Sequence, residues 1–168
     1  IKTIALVGAG GAGKTTLAHQ YGRQDESNVI WEINAETRES LNGSFNSLAQ
    51  ALVKTEEDKK LWKRLQEIQD PIEIGYKVIN FVKAKLKLNT NWVLIYDNVE
   101  NMADIQKYFP LDFNTWGEGK VIITTRDHNI QSNKYVNSTI YIGELDQDQK
   151  FTLFKKIMNE GNINFFNS

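Results

Sequence analysis

Near the amino terminus the residues Gly8-Ala9-Gly10-Gly11-Ala12-Gly13-Lys14-Thr15 fit the pattern G-x-x-x-x-G-K-[ST] in full. An apolar run with β-branched residues at 3–7 precedes them, and helical spacing follows over 14–22. The chain must therefore pass from strand to helix through Gly8, Gly10, Gly11 and Gly13, which is the context this pattern requires. Glycines take positive φ and let the backbone close on an anion, so that successive N–H groups point inward as a nest. A helix starting near Lys14 adds the positive end of its dipole. These groups suit a chain of phosphates. Lys14 offers a flexible ammonium to the β- and γ-phosphates, the Thr15 hydroxyl is placed to ligate Mg2+, and Thr16 is expected to meet the α-phosphate. Gly8, Gly10, Gly11, Ala12, Gly13, Lys14, Thr15 and Thr16 are the expected nucleotide contacts.

Other readings of the loop compete. An ordinary glycine-rich turn would match the four fixed positions by chance in only about one chain of this length in a hundred or more. The dinucleotide fingerprint G-x-G-x-x-G can be traced at Gly8, Gly10 and Gly13, with Glu32 as the acid that meets the ribose, but Lys14-Thr15 argues against it. A P-loop kinase needs an acceptor-binding lid with arginines, and the chain holds only Arg23, Arg38, Arg64 and Arg126. A GTPase would show Asn-Lys-x-Asp, whereas Asn133-Lys134-Tyr135-Val136 lacks the acid.

Two further segments carry polar residues at the end of an apolar run. In Trp92-Val93-Leu94-Ile95-Tyr96-Asp97-Asn98 the acid Asp97 is expected to hold Mg2+ from the side opposite Thr15; the alternative is a cap on the next turn. Asn98 stands where many ATPases carry a second acid that polarises the attacking water, and a neutral amide cannot accept that proton. Slow hydrolysis follows, with Glu100 as the nearest carboxylate that could substitute. In Val121-Ile122-Ile123-Thr124-Thr125-Arg126 the arginine reaches the carboxyl edge, where open α/β sheets bind their ligands. A planar guanidinium there can grip a terminal phosphate bidentately and so tell ATP from ADP; a surface ion pair is the alternative. Lys14, Asp97 and Arg126 are thus the residues expected to carry the chemistry.

Apolar runs at 3–7, 29–33, 92–96, 121–124 and 139–142 alternate with helical spacing at 14–22, 40–53, 56–69, 72–88, 102–108 and 147–158. Such alternation predicts parallel strands joined by right-handed helical crossovers, an α/β class with helices on both faces of the sheet. Asp70-Pro71 breaks the long excursion between the second and third strands. Leu61, Trp62, Leu65 and Ile68 are expected to face the core as one stripe. Lys83, Lys85 and Lys87 are expected to stay solvated near a helix end.

A length of 168 residues suits one domain, and 40% hydrophobic with 24% charged residues places the chain among folded proteins. The net charge of −1 supplies no field for nucleic acid or an anionic membrane, so an anion must be held by a local site. With no cysteine there is neither a disulfide framework nor a thiolate metal site, and a cytoplasmic setting is the default. No run approaches the roughly 20 apolar residues that span a bilayer. Both ends look cut: Ile1 already lies in or beside a strand, and 159–168 carries Phe165 and Phe166 with no closing element. A fragment of a longer protein is expected.

Taken together these segments resemble the NB-ARC family of signal-transduction ATPases, the nucleotide switch of plant disease-resistance proteins, the apoptosome ATPase and bacterial relatives. The resemblance covers nearly the whole chain. It rests on the phosphate loop, the stretch from Val29 to Leu41, that from Val93 to Val99, the Thr124-Thr125-Arg126 sensor, and Gly143-Glu144-Leu145-Asp146-Gln147-Asp148-Gln149-Lys150-Phe151-Thr152-Leu153-Phe154, similar to the family's leucine-then-aromatic helix. It implies a three-layer P-loop NTPase fold with strand order 5-1-4-3-2, ADP and ATP as ligands with Mg2+, and following helical and winged-helix domains that bury the nucleotide. Exchange of ADP for ATP would then drive opening and self-oligomerisation. Asp97-Asn98 departs from the family's common Asp-Asp, although it resembles some relatives that carry repeat domains.

Overall fold

The computed structural model describes residues 1–143 and 146–160. Glu144 and Leu145, which follow Gly143 in the segment compared with the family's leucine-then-aromatic helix, and Phe165 and Phe166 lie outside the described residues. Among the described residues, β1 (Lys2–Val7), β2 (Val29–Asn34), β3 (Trp92–Val99), β4 (Gly119–Thr125) and β5 (Ser138–Tyr141) form one parallel sheet in the order β2-β3-β4-β1-β5. From the other edge this is the expected 5-1-4-3-2.

The alternation of side chains along the strands explains the layers. Ala5 and Val7 of β1 join one core with Leu94, Tyr96, Val121 and Ile123, while Ile4 and Leu6 join another with Val93, Ile95 and Ile122. Successive side chains leave opposite faces of a strand, and here both faces are apolar, so both must be covered. On the first face, α2 (Arg38–Leu52) and α4 (Pro71–Leu88) supply Phe45, Leu48 and Val82. On the second, α1 (Lys14–Gln24) and α7 (Gln147–Glu160) supply Leu17, Tyr21 and Phe154, the last two rings meeting edge-on at 5.0 Å. The molecule is a three-layer α/β sandwich.

Local chemistry sets the helix ends. Thr37 and Thr55 open α2 and α3 (Glu56–Gln66) with capping boxes closed by Ser40 and Asp58. Asp70 caps α4 by accepting the Ile72 N–H, with Pro71 in the first turn. The spacing at 102–108 predicts one helix; it is divided into α5 (Met102–Ile105) and a 3-10 turn at Gln106–Tyr108. A further single-turn helix, α6 (Phe113–Trp116), and a 3-10 turn at Ile130–Ser132 are too short for periodicity to reveal. Among the described residues no helix is long and apolar enough to cross a membrane.

Two expectations about side chains need correction. Leu65 is buried, and Trp62 and Ile68 pack half-buried against the same core, Ile68 from beyond the end of α3, but Leu61 is 41% exposed. The α3 face that carries Trp62 and Leu65 also turns the Asp58 carboxylate inward. There it accepts the Lys54 and Thr55 N–H groups at 3.0 and 3.1 Å and meets Lys85 Nζ at 2.5 Å. Lys85, first of all, and the backbone donors hold the Asp58 carboxyl well below the usual carboxylate range. Lys85 is therefore not a solvated lysine: it ties α4 to α3. Lys83 lies over the Trp116 ring, 5.4 Å from its centre.

Candidate functional site

The sheet register brings the expected site residues to one edge. Val7 pairs with Thr125 and Asn34 with Asp97, and the register between β3 and β4 shifts between Tyr96 and Val99. The loop after Val7, the end of β3 and Arg126 after β4 therefore emerge together at the carboxyl ends of the strands. The Gly8 N–H donates to Thr125 O at 3.1 Å, joining the start of the loop directly to the strand before Arg126.

Gly11 and Gly13 stand at φ 80° and 90°, a region that L side chains rarely adopt. Ala12 between them donates its N–H to Ala9 O at 3.2 Å. Alternation of backbone hand across these residues is the geometry that lets amides converge on an anion. Gly13 gives no side-chain cap to α1, so the amides of the first turn stay open toward the loop. The sequence supplies the cradle by leaving side chains out of it.

Lys14 is buried, and its ammonium donates to Gly8 O at 2.7 Å and Ala9 O at 2.8 Å. Burial lowers its pKa, the nearby Arg126 lowers it further, and Asp97 acts in the opposite direction. Two cations thus share this site, and an anion placed between them would favour the charged form of Lys14. Thr16 is exposed in the first turn of α1.

Asp97 is the junction. Its Oδ1 accepts from Thr15 Oγ1 at 2.8 Å and from Thr124 Oγ1 at 2.7 Å, while Thr124 Oγ1 also receives the Asn98 N–H at 2.8 Å. Three elements, α1, β3 and β4, meet on one carboxylate oxygen. Thr15 Oγ1 and Asp97 Oδ1 form an all-oxygen pair, the donor chemistry that suits a hard divalent cation such as Mg2+ when phosphate and water complete its shell. Asn98 has φ 62° where the register shifts, a left-handed conformation that asparagine tolerates better than most residues. Neighbouring Thr125 donates to Val99 O at 2.6 Å and accepts the Asp127 N–H at 3.0 Å, fixing the turn that carries Arg126.

Arg126 is exposed, yet its guanidinium lies against the loop: a Cβ built on Gly10 would stand 2.5 Å from Arg126 Nη2. Lack of a side chain at Gly10 lets the arginine reach the loop. Glu100 lines a recess of about 120 Å3 with Glu36, Arg38 and Asp104.

The sheet order removes the dinucleotide reading. In that fold the second strand lies beside the first, so its acid can reach the ribose. Here β3 and β4 lie between β1 and β2, and Glu32 on the outer strand meets His19 Nε2. Asn133-Lys134-Tyr135 is a local turn, with Asn133 Oδ1 accepting the Tyr135 N–H at 3.0 Å.

Sequence reasoning missed three groups. Thr124 belongs to a segment it singled out, but the bonds to Asp97 and Asn98 depend on cross-strand register. Gln147 and Lys150 of α7 also touch the loop: Lys150 Nζ donates to Ala12 O at 3.1 Å, and a Cβ on Gly13 would meet Gln147 Nε2 at 2.8 Å. A faint signal existed, since Lys150 shares the apolar stripe of α7 with Phe154 and Ile157.

A glycine nest between β1 and α1, a buried lysine and an acid at the end of β3 define a nucleotide-binding P-loop NTPase domain. Residues 1–164 match the family model of the NB-ARC domain, and the chain belongs to that family. A curated relative, the tRNA dimethylallyltransferase of Mus musculus, is 23% identical over 154 residues, covering 92% of this chain and 30% of that protein. A solved structure of a Signal Transduction ATPase with Numerous Domains (STAND) protein with a tetratricopeptide repeat sensor, from Pyrococcus horikoshii, shares 14% identity at a TM-score of 0.47. It is matched over 94% of this chain and 26% of that one. The chain spans less than a third of the length of either protein.

Proposed function

We propose that residues 1–168 are the nucleotide-binding core of a longer cytoplasmic signal-transduction ATPase, acting as a switch between ADP-bound and ATP-bound states. The observation that carries this reading is convergence on one loop. Arg126 lies against Gly10, while Thr15 and Asp97, hydrogen-bonded to each other, lie beside Lys14. Gly8 to Thr16 would cradle the phosphates, Lys14 would bridge β and γ, and Arg126 would grip the γ-phosphate that ADP lacks. Thr15 and Asp97 would hold Mg2+, which supplies charge neutralisation at the phosphates. ADP means off, ATP means on, and slow hydrolysis resets the state. Helical and winged-helix domains of the intact protein would close over the nucleotide, and self-oligomerisation would follow ATP binding.

A near-complete change of state requires the γ-phosphate to favour one conformation by about 5.5 kcal/mol. Charge-assisted hydrogen bonds are worth about 1.5–3 kcal/mol each, so Arg126 is asked for a large share. In the intact protein, Arg126→Ala should cut the preference for ATP over ADP about ten- to a hundredfold. Single-turnover hydrolysis by wild type should run far below the roughly 10 per second of an ordinary enzyme, because Asn98 cannot take the proton of the attacking water. An unchanged ATP/ADP ratio in the variant removes Arg126 from the switch, and fast turnover makes the domain a working ATPase instead.

A further inference from the structure

We infer that Lys150 is a positioning residue for phosphate binding: from α7 it holds the Ala12–Gly13 peptide with its N–H turned into the loop. The inference rests on the reading of that loop as a nucleotide site. Lys150 is 7% exposed, and its ammonium donates to Ala12 O at 3.1 Å. A trans peptide is planar, so its C=O and N–H point in opposite directions. A carbonyl drawn outward to α7 therefore aims the Gly13 N–H away from α7, toward the concave side. The restraint matters because Gly13, at φ 90°, has no Cβ to oppose rotation of this peptide, and glycine populates both signs of φ. Ala12 is held at its other end as well, through its N–H to Ala9 O at 3.2 Å.

The helix that carries Lys150 is itself anchored. Asp146 and Gln149 cap its start reciprocally, with the Gln149 N–H on Asp146 Oδ1 at 2.8 Å and the Asp146 N–H on Gln149 Oε1 at 3.1 Å. Phe154 is fully buried against Tyr21, and Lys2 Nζ donates to Met158 O at 3.1 Å. Gln147 lies over Gly13 from the same helix. A buried ammonium on a fixed helix thus acts as an outer support for the loop, and its charge adds to those of Lys14 and Arg126 around the anion.

The test compares wild type, Lys150→Met and Lys150→Arg by titration with ADP and with inorganic pyrophosphate, alongside thermal unfolding without ligand. Lys150→Met keeps the aliphatic stem and should bind both ligands about tenfold more weakly, while its unliganded melting temperature stays near that of wild type. Lys150→Arg should recover most of the affinity, and the Gly13 amide resonance should shift on ADP binding in wild type and Lys150→Arg but not in Lys150→Met. Equal affinity in Lys150→Met overturns the inference. So does a loss of affinity matched by a loss of unliganded stability that Lys150→Arg does not recover, since that describes only packing. If Lys150→Met does not fold, Lys150→Gln, whose amide falls one bond short of Ala12, takes its place with the same expected loss. Failure of wild type to bind ADP would instead remove the nucleotide reading itself.

Discussion

Lys14→Ala is expected to bind ADP about ten- to a hundredfold more weakly than wild type, the cost of removing charge-assisted hydrogen bonds worth roughly 1.5–3 kcal/mol each. In the unliganded chain the same ammonium is buried, has its pKa lowered, and is shared between Gly8 O and Ala9 O. Its removal costs two hydrogen bonds but relieves burial of a charge beside Arg126, so unliganded stability should change little. Thermal unfolding with and without ADP separates the effects. At ADP one hundred times the wild-type Kd, wild type gains about 2.7 kcal/mol, and a variant bound a hundredfold more weakly gains about 0.4 kcal/mol. In a chain of this size those gains correspond to shifts of about 5–11 °C and about 1 °C. An undiminished shift in Lys14→Ala would mean that the ligand is held elsewhere.

Gly119→Ala should lower stability by about 3 kcal/mol, or about 6–12 °C in melting temperature, without touching the loop. Gly119 opens β4 opposite Trp92, and a Cβ there would fall 2.1–2.3 Å from three atoms of the indole. Trp92 cannot step aside: it is fully buried and its Nε1 donates to Trp116 O at 3.0 Å. Gly43→Ala in α2 is the matched control, because among the described residues no atom other than its chain neighbours and its own helix backbone lies within 4 Å of the added methyl. It should stabilise the helix by about 0.5–1 kcal/mol. If the two variants melt alike, the packing of Trp92 across Gly119 is incorrect.

The parts of the site legible in sequence are those built by short stretches of chain. The loop from Gly8 to Thr15 is a strand, a turn and a helix start in direct succession, and Asp97 and Arg126 each follow an apolar run. Their meeting at one edge follows from the strand order, which the family resemblance supplied. What stayed hidden depends on register and on helix orientation. Periodicity carries no information about the shift between Tyr96 and Val99 that gives Asn98 its positive φ and aims its N–H at Thr124. Lys85 reads as solvated because its partner Asp58 lies 27 positions away on another helix. Leu61 reads as buried because a hydrophobic stripe marks a face but not its width, and Leu61 lies at its margin while Trp62, Leu65 and Ile68 reach the core.

Whether the loop holds an adenine nucleotide can be read by unfolding the purified chain and separating what it releases by ion-exchange chromatography. ADP, at up to about one equivalent per chain, is the expected product, since a switch resting in its off state retains it and the charges of Lys14 and Arg126 favour its diphosphate. Release of GDP or NAD in its place would contradict the adenine-nucleotide switch.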